Sequence, residues 1–422
     1  MPAKRFAEAY LQAFEPFALR AKRAIRRPCR TLDAPPLRAD YQRMMERRQI
    51  LELWQQRQGQ DAVLVTLTCA TGSSYRHPGA HVLLLADGRH AGTISGGCLE
   101  AEIARKAFWL TRSGAVMQRY STLFDDTAEI PFGLGCGGEI DILLEPANTP
   151  ECEALIEAMR ASLHGKSRIA ITTLPAESQP LQRVILTTNE ETIFASATVS
   201  STAEKFTEHL NPPQRLILFG AGDDAQPLVN MAALLGWSVL VADGRPQLAL
   251  RERFPAAECI ILLDKSLSIA PLEITGKDAI VLMTHSFEQD RALLVQLLGI
   301  APRYLGVLGA RHRSSLLVRE VAAILGWSME ACAACLHAPV GLNLGGDAPE
   351  SIAFSILADA HARCLGGDAA PRRITAEEMK RHLAERSNVP TPVCSLDAAV
   401  SISNFLSSRS EAEGPASLSG KK

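Results

Sequence analysis

The fold of the second half of the chain is decided by residues 215–225, RLILFGAGDDA. A run of strand-forming residues leads into Gly220 and Gly222, and helix-forming residues follow from Ala225. This G-x-G-x-x-A pattern is typical of a Rossmann domain, because its glycines permit a tight turn and a close approach of phosphate groups. Asp243 ends the next strand candidate, about 20 residues after Gly222, where an acid can bind a ribose hydroxyl.

Apolar runs and helical patterns alternate through the rest of this half. The strand candidates are 215–220, 238–243, 258–264, 278–284 and 304–309, and helical patterns cover 225–235 and 290–298. Continuous Val, Ile and Leu strands that alternate with helices predict a buried parallel sheet with helices on both faces. The second half is therefore predicted to be a doubly wound α/β domain.

The ligand of this domain is open from the sequence. NAD(P), another nucleotide or a phosphate could bind the loop, or the domain could be only a scaffold, since Asp223 and Asp224 would repel an anion unless they point away. His285 follows a strand at the carboxyl edge, where open α/β sheets bind ligands, although it could equally hold the loop by a hydrogen bond. Arg311 and Arg313 open a helix and could meet a phosphate or simply face solvent.

The first half has a different pattern and predicts an α+β domain. A helix candidate at 41–56 precedes short strand candidates at 62–70, 81–94, 116–121 and 139–146. The Asp87-Gly88 pair inside the second of these runs predicts a hairpin turn.

Two cysteines in this half are framed by glycines. Cys98 follows Gly96 and Gly97 at the expected start of a helix, a position that lowers the pKa of a thiol and stabilises the thiolate. Cys136 lies in a second loop, Gly133 to Gly138, that leads into a strand. Soft ligands presented in this way suit a thiophilic metal, a persulfide or a cofactor sulfur, although both loops could be packing turns with incidental cysteines.

The remaining cysteines have simpler interpretations. Cys69 and Cys259 lie in strand patterns and are predicted to be core residues. Cys332 and Cys335 form a single C-x-x-C, which is half a zinc site at best and is predicted to be structural.

Composition excludes several classes of protein. The 422 residues contain 44 Lys plus Arg against 46 Asp plus Glu, so no overall charge favours a nucleic-acid or membrane-surface partner. No apolar run is long enough for a transmembrane helix. Ten scattered cysteines without a secretory signal favour free thiols in a reducing cytoplasm.

Several motifs together resemble one family, the xanthine dehydrogenase accessory factors of the XdhC/CoxI type. The resemblance covers roughly residues 45–147 and 212–366, and Tyr75 stands where many relatives have proline. The motifs are ATGSSYRHPGA (70–80), AGTISGGCLEAEI (91–103), FGLGCGGEIDILLEP (132–146), RLILFGAGDDAQPLVNMAALLGWSVLVADGRPQLA (215–249), MTHSFEQDRALL (283–294), YLGVLGARHR (304–313) and APVGLNLGGDAPESIAFSILADAHAR (338–363).

The resemblance implies a chaperone more than a turnover enzyme. Such a protein binds molybdenum cofactor, as molybdopterin or its dinucleotide, protects it while a sulfido ligand replaces an oxo ligand, and delivers it to a xanthine dehydrogenase-type molybdenum hydroxylase. A cysteine desulfurase would supply the sulfur, and a homodimer is implied. The cofactor contacts carried over by motif position are Cys98 and Cys136 for sulfur or molybdenum, Gly96, Gly97, Gly137 and Gly138 for backbone contacts, and Glu100 and Arg76 as polar neighbours.

These observations predict a division of the chain and leave two other functions open. The expected segments are a basic extension at 1–40, the XdhC/CoxI-type domain at 41–150, a connecting region at 151–211, the Rossmann-like domain at 212–366 and a C-terminal extension at 367–422 that is disordered from about Ser407. The alternatives are an NAD(P)-dependent oxidoreductase that uses the Rossmann half, and a sulfurtransferase in which Cys98 carries a persulfide.

Overall fold

The computed structural model describes most of the chain between Met44 and Arg386. The described residues are 44–72, 74–121, 138–165, 167–174, 181–196, 205–371 and 373–386. The basic extension, Cys136, Gly137 and the tail from Ser407 lie outside them. Contacts group the chain into one unit that ends at Ala369 and a second that begins at Ala370 and contains a helix, Ala376–Arg386. Among the described residues, no helix combines the length and apolarity that a bilayer crossing requires.

The first sheet is antiparallel and contains five strands in the described ranges, in the order β3-β2-β1-β5-β4. The predicted hairpin turn is confirmed, since the Gly88 N–H donates to the Leu85 carbonyl at 3.0 Å. The strands are β1 (Ala62–Gly72), β2 (His81–Leu85), β3 (His90–Gly92), β4 (Val116–Ser121) and β5 (Gly138–Pro146).

Helices cover both faces of this sheet. On one face lies α2 (Cys98–Leu110), whose Leu99, Ile103 and Ala107 recur at helical spacing and pack against inward residues of β1 and β5. On the other face lie α1 (Met44–Gln56) and α3 (Pro150–His164), which share a core with β1 and β2. The N-terminal end of α2 is thereby fixed at one edge of a packed three-layer unit.

A second antiparallel sheet follows α3 and shares its core. Its order in the described ranges is β8-β7-β6-β9, and isoleucines of β6 and β7 pack against α3. The strands are β6 (Ile169–Leu174), β7 (Gln182–Thr187), β8 (Thr192–Ala195) and β9 (Phe206–Leu210). Residues 151–211 therefore contain a helix and a sheet that complete the first core.

Two buried pairs join the two sheets. The Arg183 guanidinium on β7 binds both carboxylate oxygens of Glu145 on β5, at 3.0 and 3.1 Å, and these side chains are 1% and 0% exposed. His81 on β2 lies 2.9 Å from Glu208 on β9. Because a buried charge is costly without its partner, these pairs fix how the two sheets meet.

The second half is a doubly wound α/β domain, as predicted. Its five parallel strands in the described ranges follow the order β12-β11-β10-β13-β14. The strands are β10 (Arg215–Phe219), β11 (Ser238–Asp243), β12 (Cys259–Leu262), β13 (Ala279–Leu282) and β14 (Tyr304–Val307), and the helices are α4 (Ala225–Leu234), α5 (Phe287–Leu298), α6 (Arg311–Leu325), α7 (Met329–Ala333) and α8 (Pro349–Leu365).

The helices divide between the two faces of the parallel sheet. One face packs against α4 and α8, and the opposite face packs against α5 and α6. Residues 337–340 run beside β14, where the His337 N–H donates to the Leu305 carbonyl and the Val340 N–H donates to the Val307 carbonyl. Asp359 on α8 holds this segment by accepting from Tyr304 and lying 2.9 Å from His337 Nδ1.

Two expectations from the sequence are wrong. Cys69 and Cys259, predicted to be core residues, are both exposed, because Cys69 follows an irregularity in the β1–β5 register and Cys259 begins an edge strand.

The buried Arg183–Glu145 pair yields a stability prediction. Glu145→Ala is expected to lower the free energy of unfolding by about 3–5 kcal/mol, because it leaves a buried guanidinium unpaired. The double variant Glu145→Leu with Arg183→Met should recover most of that loss, since it removes both charges. Urea denaturation measures these differences.

The exposed pair Arg119–Asp141 on the first sheet is the control. Arg119→Ala should change stability little, because water solvates both groups. If Glu145→Ala costs no more than Arg119→Ala, the buried pair does not hold the sheets together.

Candidate functional site

The first glycine loop is a tight turn that ends where α2 begins. Gly96 and Gly97 have φ values of +83° and +112°, a region that side chains other than glycine rarely adopt. The helix starts at Cys98 directly after them. The sequence GGC therefore places a cysteine at the first position of a helix, as the pattern predicts.

Glu100 holds this loop in shape. One carboxylate oxygen accepts from the Thr93 hydroxyl and from the N–H groups of Ile94 and Ser95, at 2.6–2.8 Å. The other accepts from the Ser95 hydroxyl and from the Gly97 N–H. Glu100 is only 5% exposed, so both of its oxygens are committed to the loop.

These contacts set the charge state of Glu100. Burial alone would raise the pKa of its carboxyl, but the hydroxyls of Ser95 and Thr93 and the backbone N–H donors outweigh burial and lower the pKa to about 2. Glu100 is therefore a carboxylate at neutral pH, and it acts here as the structural support of the loop that precedes Cys98.

The glycines of the loop use their own N–H groups internally. The Gly96 N–H donates to the Thr93 hydroxyl and the Gly97 N–H donates to Glu100. What Gly97 leaves for a ligand is space, since no atom in the described part of the chain, apart from its two sequence neighbours, lies within 4 Å of the position its Cβ would occupy. The predicted backbone contacts of these glycines to a cofactor stay a prediction.

The strand register places Gly138, the residue that follows the second cysteine in the described ranges, beside the end of β1. Gly138 opens β5 and pairs with Gly72, the last residue of β1. Tyr75 follows Gly72 by three positions, and its ring is next to Gly96. Gly138 follows Cys136 by two positions, and Gly96 precedes Cys98 by two. The segment from Gly72 to Tyr75 therefore begins beside Gly138 and ends with a ring beside Gly96.

Tyr75 is the last residue of this connecting segment, and Arg76 follows it directly. Arg76 forms an ion pair with Glu46 on α1, which fixes the segment against the domain. Tyr75 is 64% exposed, although an aromatic ring usually buries much of its surface. In the sequence, Tyr75 stands out only as a departure from the proline of many relatives, and the signal that marks it is an aromatic residue in a glycine- and serine-rich loop.

The parallel sheet forms the predicted crevice at its carboxyl edge. β10 neighbours β11 on one side and β13 on the other, which makes the ends of β10 and β13 the topological switch point. Gly220 has φ +121°, and a Cβ there would lie 2.2 Å from the Met283 carbonyl oxygen after β13. Glycine is required at this position by the neighbouring backbone.

Each acid of the glycine loop has a basic side chain as its partner. Asp223 pairs with Arg253 at 2.9 Å and Asp224 lies 2.9 Å from His285 Nε2. His285 lies at the carboxyl edge, as predicted, in the left-handed region with φ +60°. Strained conformations of this kind are concentrated at ligand sites, but the hydrogen bond to Asp224 also gives His285 a role in holding the loop.

Asp243 likewise supports the loop. Its carboxylate accepts from the Ala221 N–H at 2.7 Å and from the Arg245 guanidinium and N–H. Burial would raise the pKa of Asp243, but the hydrogen bonds from Arg245 and Ala221 lower it overall. A ribose hydroxyl would therefore have to share oxygens that already have partners.

Two further arginines lie where the sequence predicted them. Arg311 is the first residue of α6 and is exposed. Arg313 instead binds Asp290 at 2.6 Å and the Leu308 carbonyl at 3.2 Å. Asp290 also accepts from Thr284, so Arg313 braces the loop that carries His285.

Comparisons with known proteins agree with this architecture. Residues 216–360 match the XdhC Rossmann domain, and residues 55–121 match the XdhC and CoxI family. The second match contains Tyr75, Arg76 and the whole first glycine loop. The chain belongs to the XdhC and CoxI family.

Relatives of this family member share most of its length. A probable xanthine dehydrogenase subunit from Bacillus subtilis strain 168 is 29% identical over 320 residues, which cover 71% of this chain and 92% of the relative. The molybdenum cofactor insertion chaperone PaoD of Escherichia coli K12 is 27% identical over 302 residues, covering 71% and 83%. The crystal structure of a xanthine dehydrogenase from Bacillus halodurans superimposes with a TM-score of 0.64 at 28% identity and covers 78% of this chain and 98% of that one.

The described side chains of this XdhC/CoxI family member do not form a metal cage. Within the described ranges, no three His, Cys, Asp or Glu residues are grouped so that they could hold a metal ion. Cys136 lies outside those ranges, so the predicted pairing of Cys98 and Cys136 on one metal stays a prediction. Cys332 is buried, and burial together with the nearby Cys335 raises its pKa to about 11, which does not favour a reactive thiolate there.

Glu100 yields a pH-dependent prediction. Glu100→Gln is expected to lower the free energy of unfolding by about 1–3 kcal/mol at neutral pH, because donors that faced a carboxylate are left poorly matched. Since the pKa of Glu100 is lowered from 4.5 to about 2, its stabilisation is complete above pH 4.5 and is lost as the pH falls towards 2. The urea midpoints of wild type and Glu100→Gln are measured between pH 7 and pH 3, and the difference between them should become smaller as the pH falls.

The exposed Glu157 on α3, paired only with Arg160 one turn away, supplies the control. Glu157→Gln should leave the urea midpoint and its pH dependence nearly unchanged. An equal effect of both substitutions would contradict the assigned role of Glu100.

The close approach at Gly220 yields a further stability prediction. Gly220→Ala is expected to cost about 2–5 kcal/mol, because it combines backbone strain with a clash against β13. Gly88→Ala is the matched control, since Gly88 also has a positive φ of +91° but nothing lies within 4 Å of its Cβ position. Denaturation followed by circular dichroism should show the larger loss for Gly220→Ala, and equal losses would rule out the clash.

Proposed function

We propose that this chain is a maturation factor that binds molybdenum cofactor, protects it during sulfuration and delivers it to a xanthine dehydrogenase-type molybdenum hydroxylase. The observation that carries the proposal is the preformed loop from Thr93 to Gly97, which presents Cys98 at the start of α2. The names of two relatives, a molybdenum cofactor insertion chaperone and a probable xanthine dehydrogenase component, support the same role.

The chemistry of the loop suits this cargo. Molybdenum in the cofactor is bound by sulfur, and a cysteine thiolate is the soft protein ligand that matches it. The positive end of the α2 dipole favours an anion at Cys98. Gly97 adds space beside that position, since no other described residue lies close to its Cβ position, and a bulky metal–dithiolene group could use this space.

The second cysteine loop is proposed to complete the site. Gly138, two residues after Cys136, pairs with Gly72, and the segment after Gly72 reaches Gly96 by way of Tyr75. The three residues from Gly72 to Tyr75 span at most about 11 Å, so Gly138 and Gly96 lie near each other. Cys98 and Cys136 are the proposed contacts to molybdenum or its sulfido ligand, and a cysteine desulfurase is the proposed sulfur donor.

The Rossmann half is proposed to bind the phosphate or nucleotide end of the cofactor. Its crevice has the switch-point geometry that accepts such groups, and Arg311 is an exposed cation at the same edge. Binding there would compete with the Asp224–His285 pair. The homodimer implied by the family resemblance and the cytoplasmic location favoured by the scattered cysteines stay predictions.

Substitution of the two cysteines tests the proposal. Purified wild-type protein incubated with molybdenum cofactor should retain it in stoichiometric amount, measured as protein-bound molybdenum and pterin after gel filtration. Cys98→Ala and Cys136→Ala should each weaken retention about tenfold or more, the scale of a lost contact at a metal site. Both should also reduce activation of a hydroxylase apoenzyme.

Cys259→Ala is the control, because Cys259 is an exposed thiol on the edge strand of the parallel sheet. It should retain cofactor like the wild type. Normal retention and activation by both Cys98→Ala and Cys136→Ala would refute the thiol assignment, and failure of the wild-type protein to retain any cofactor would refute the proposed function itself.

A further inference from the structure

The ring of Tyr75 lies directly on the glycine loop that leads to Cys98. A Cβ placed at Gly96 would be 3.3 Å from Cε1 of Tyr75 and 3.6 Å from Cδ1 and Cζ. A side chain at position 96 would therefore touch the ring, and the closest of these contacts would require the ring to shift by a few tenths of an ångström. Tyr75 nevertheless remains 64% exposed.

The backbone around Tyr75 is held in place on both sides. β1 ends at Gly72 in register with β5, and Arg76 is tied to Glu46 on α1. The Leu67 N–H donates to the Ala80 carbonyl across the base of the same loop, at a distance of 2.9 Å. The backbone that carries the ring is thus anchored on both sides, while most of the ring surface stays exposed.

Other exposed aromatic residues in the described part of the chain differ from Tyr75. Trp109 is 65% exposed, but the Arg112 guanidinium lies 4.1 Å from the centre of its ring, so a cation already occupies one face. Phe354 lies on α8 of the Rossmann half. Tyr75 is the exposed aromatic that borders the glycine loop at Cys98.

We propose that Tyr75 is a stacking platform for the planar heterocycle of the cargo, and that it sets the orientation in which the metal end reaches Cys98. This inference rests on the proposed function and specifies the part of the cofactor that this site recognises. An exposed aromatic face binds a flat heterocycle by stacking. Because the backbone that carries Tyr75 is already anchored, less conformational entropy is lost when the ligand binds.

The position of the ring fits a ligand that spans two kinds of contact. A pterin on Tyr75 would have its dithiolene side towards Gly96, Gly97 and the start of α2. The open space beside Gly97 leaves room for that side of the ligand. One cofactor would then contact the aromatic ring and the helix start together.

Variants of Tyr75 test the inference by direct binding. The dissociation constant for molybdenum cofactor is measured by equilibrium dialysis, with molybdenum quantified on both sides, and pterin fluorescence is recorded in parallel. Tyr75→Phe should bind within about twofold of wild type and still quench the pterin. Tyr75→Leu should bind about 5- to 100-fold more weakly and lose the quenching, since one stacked ring contributes on that scale.

Two controls separate stacking from other causes. Trp109→Leu removes an exposed aromatic from the opposite end of α2 and should bind like wild type. The melting temperature of Tyr75→Leu should match that of wild type, because little surface of Tyr75 is buried. Equal melting temperatures would exclude a folding defect as the cause of weaker binding.

The outcomes distinguish this inference from the function it rests on. Wild-type affinity and quenching in Tyr75→Leu would overturn the stacking role while leaving the proposed function intact. A loss in Tyr75→Phe as large as in Tyr75→Leu would assign the effect to the hydroxyl and also overturn it. Failure of the wild-type protein to bind the cofactor would overturn both proposals.

Discussion

The hydrogen bonds of one buried carboxylate, that of Glu100, determine the shape of the first glycine loop. Glu100 accepts from three backbone N–H groups and two hydroxyls of residues 93–97. These hydrogen bonds stabilise the backbone conformation of Gly96 and Gly97, two consecutive residues with positive φ that lead into the start of α2. The loop borders both the ring of Tyr75 and the first turn of α2, so its shape affects the position of each.

The Rossmann loop is built by the same principle. Asp243 is buried and accepts from the Ala221 N–H within the glycine loop, while its other contacts come from Arg245. In both halves a carboxylate supplied by a neighbouring element fixes a glycine turn before any ligand is present. Preorganised loops of this kind lower the cost of binding a ligand.

Charge pairing at both loops gives the near-neutral composition a local meaning. Arg76, Arg245, Arg253 and Arg313 each have a carboxylate partner. An anionic cofactor would therefore compete with existing ion pairs, and the net charge of −2 provides no long-range attraction. Under the proposed function, recognition would depend on local groups, such as the helix start at Cys98, the exposed Arg311 and the face of Tyr75.

The sequence by itself determined the fold class of both halves and the positions of their turns. Alternating strands and helices, the G-x-G-x-x-A pattern and the Asp87-Gly88 turn are local signals, and each corresponds to the element that forms. The sequence also marked Glu100 and Asp243, but not as the residues that hold the two loops, because those roles depend on which backbone N–H groups surround them. It misplaced Cys69 and Cys259 because the burial of a strand residue depends on strand register and on which strands form the sheet edges.

Only the tertiary structure decided which distant residues meet. The contact of Tyr75 with Gly96, the pairing of Gly72 with Gly138 and the ion pair of Arg183 with Glu145 join segments that no local pattern relates. Strand register fixes the first two, since one pairing of β1 with β5 sets every neighbour along both strands. The physical reason for the division is that local sequence governs backbone conformation, whereas the assembly of sites is governed by packing between elements far apart in the chain.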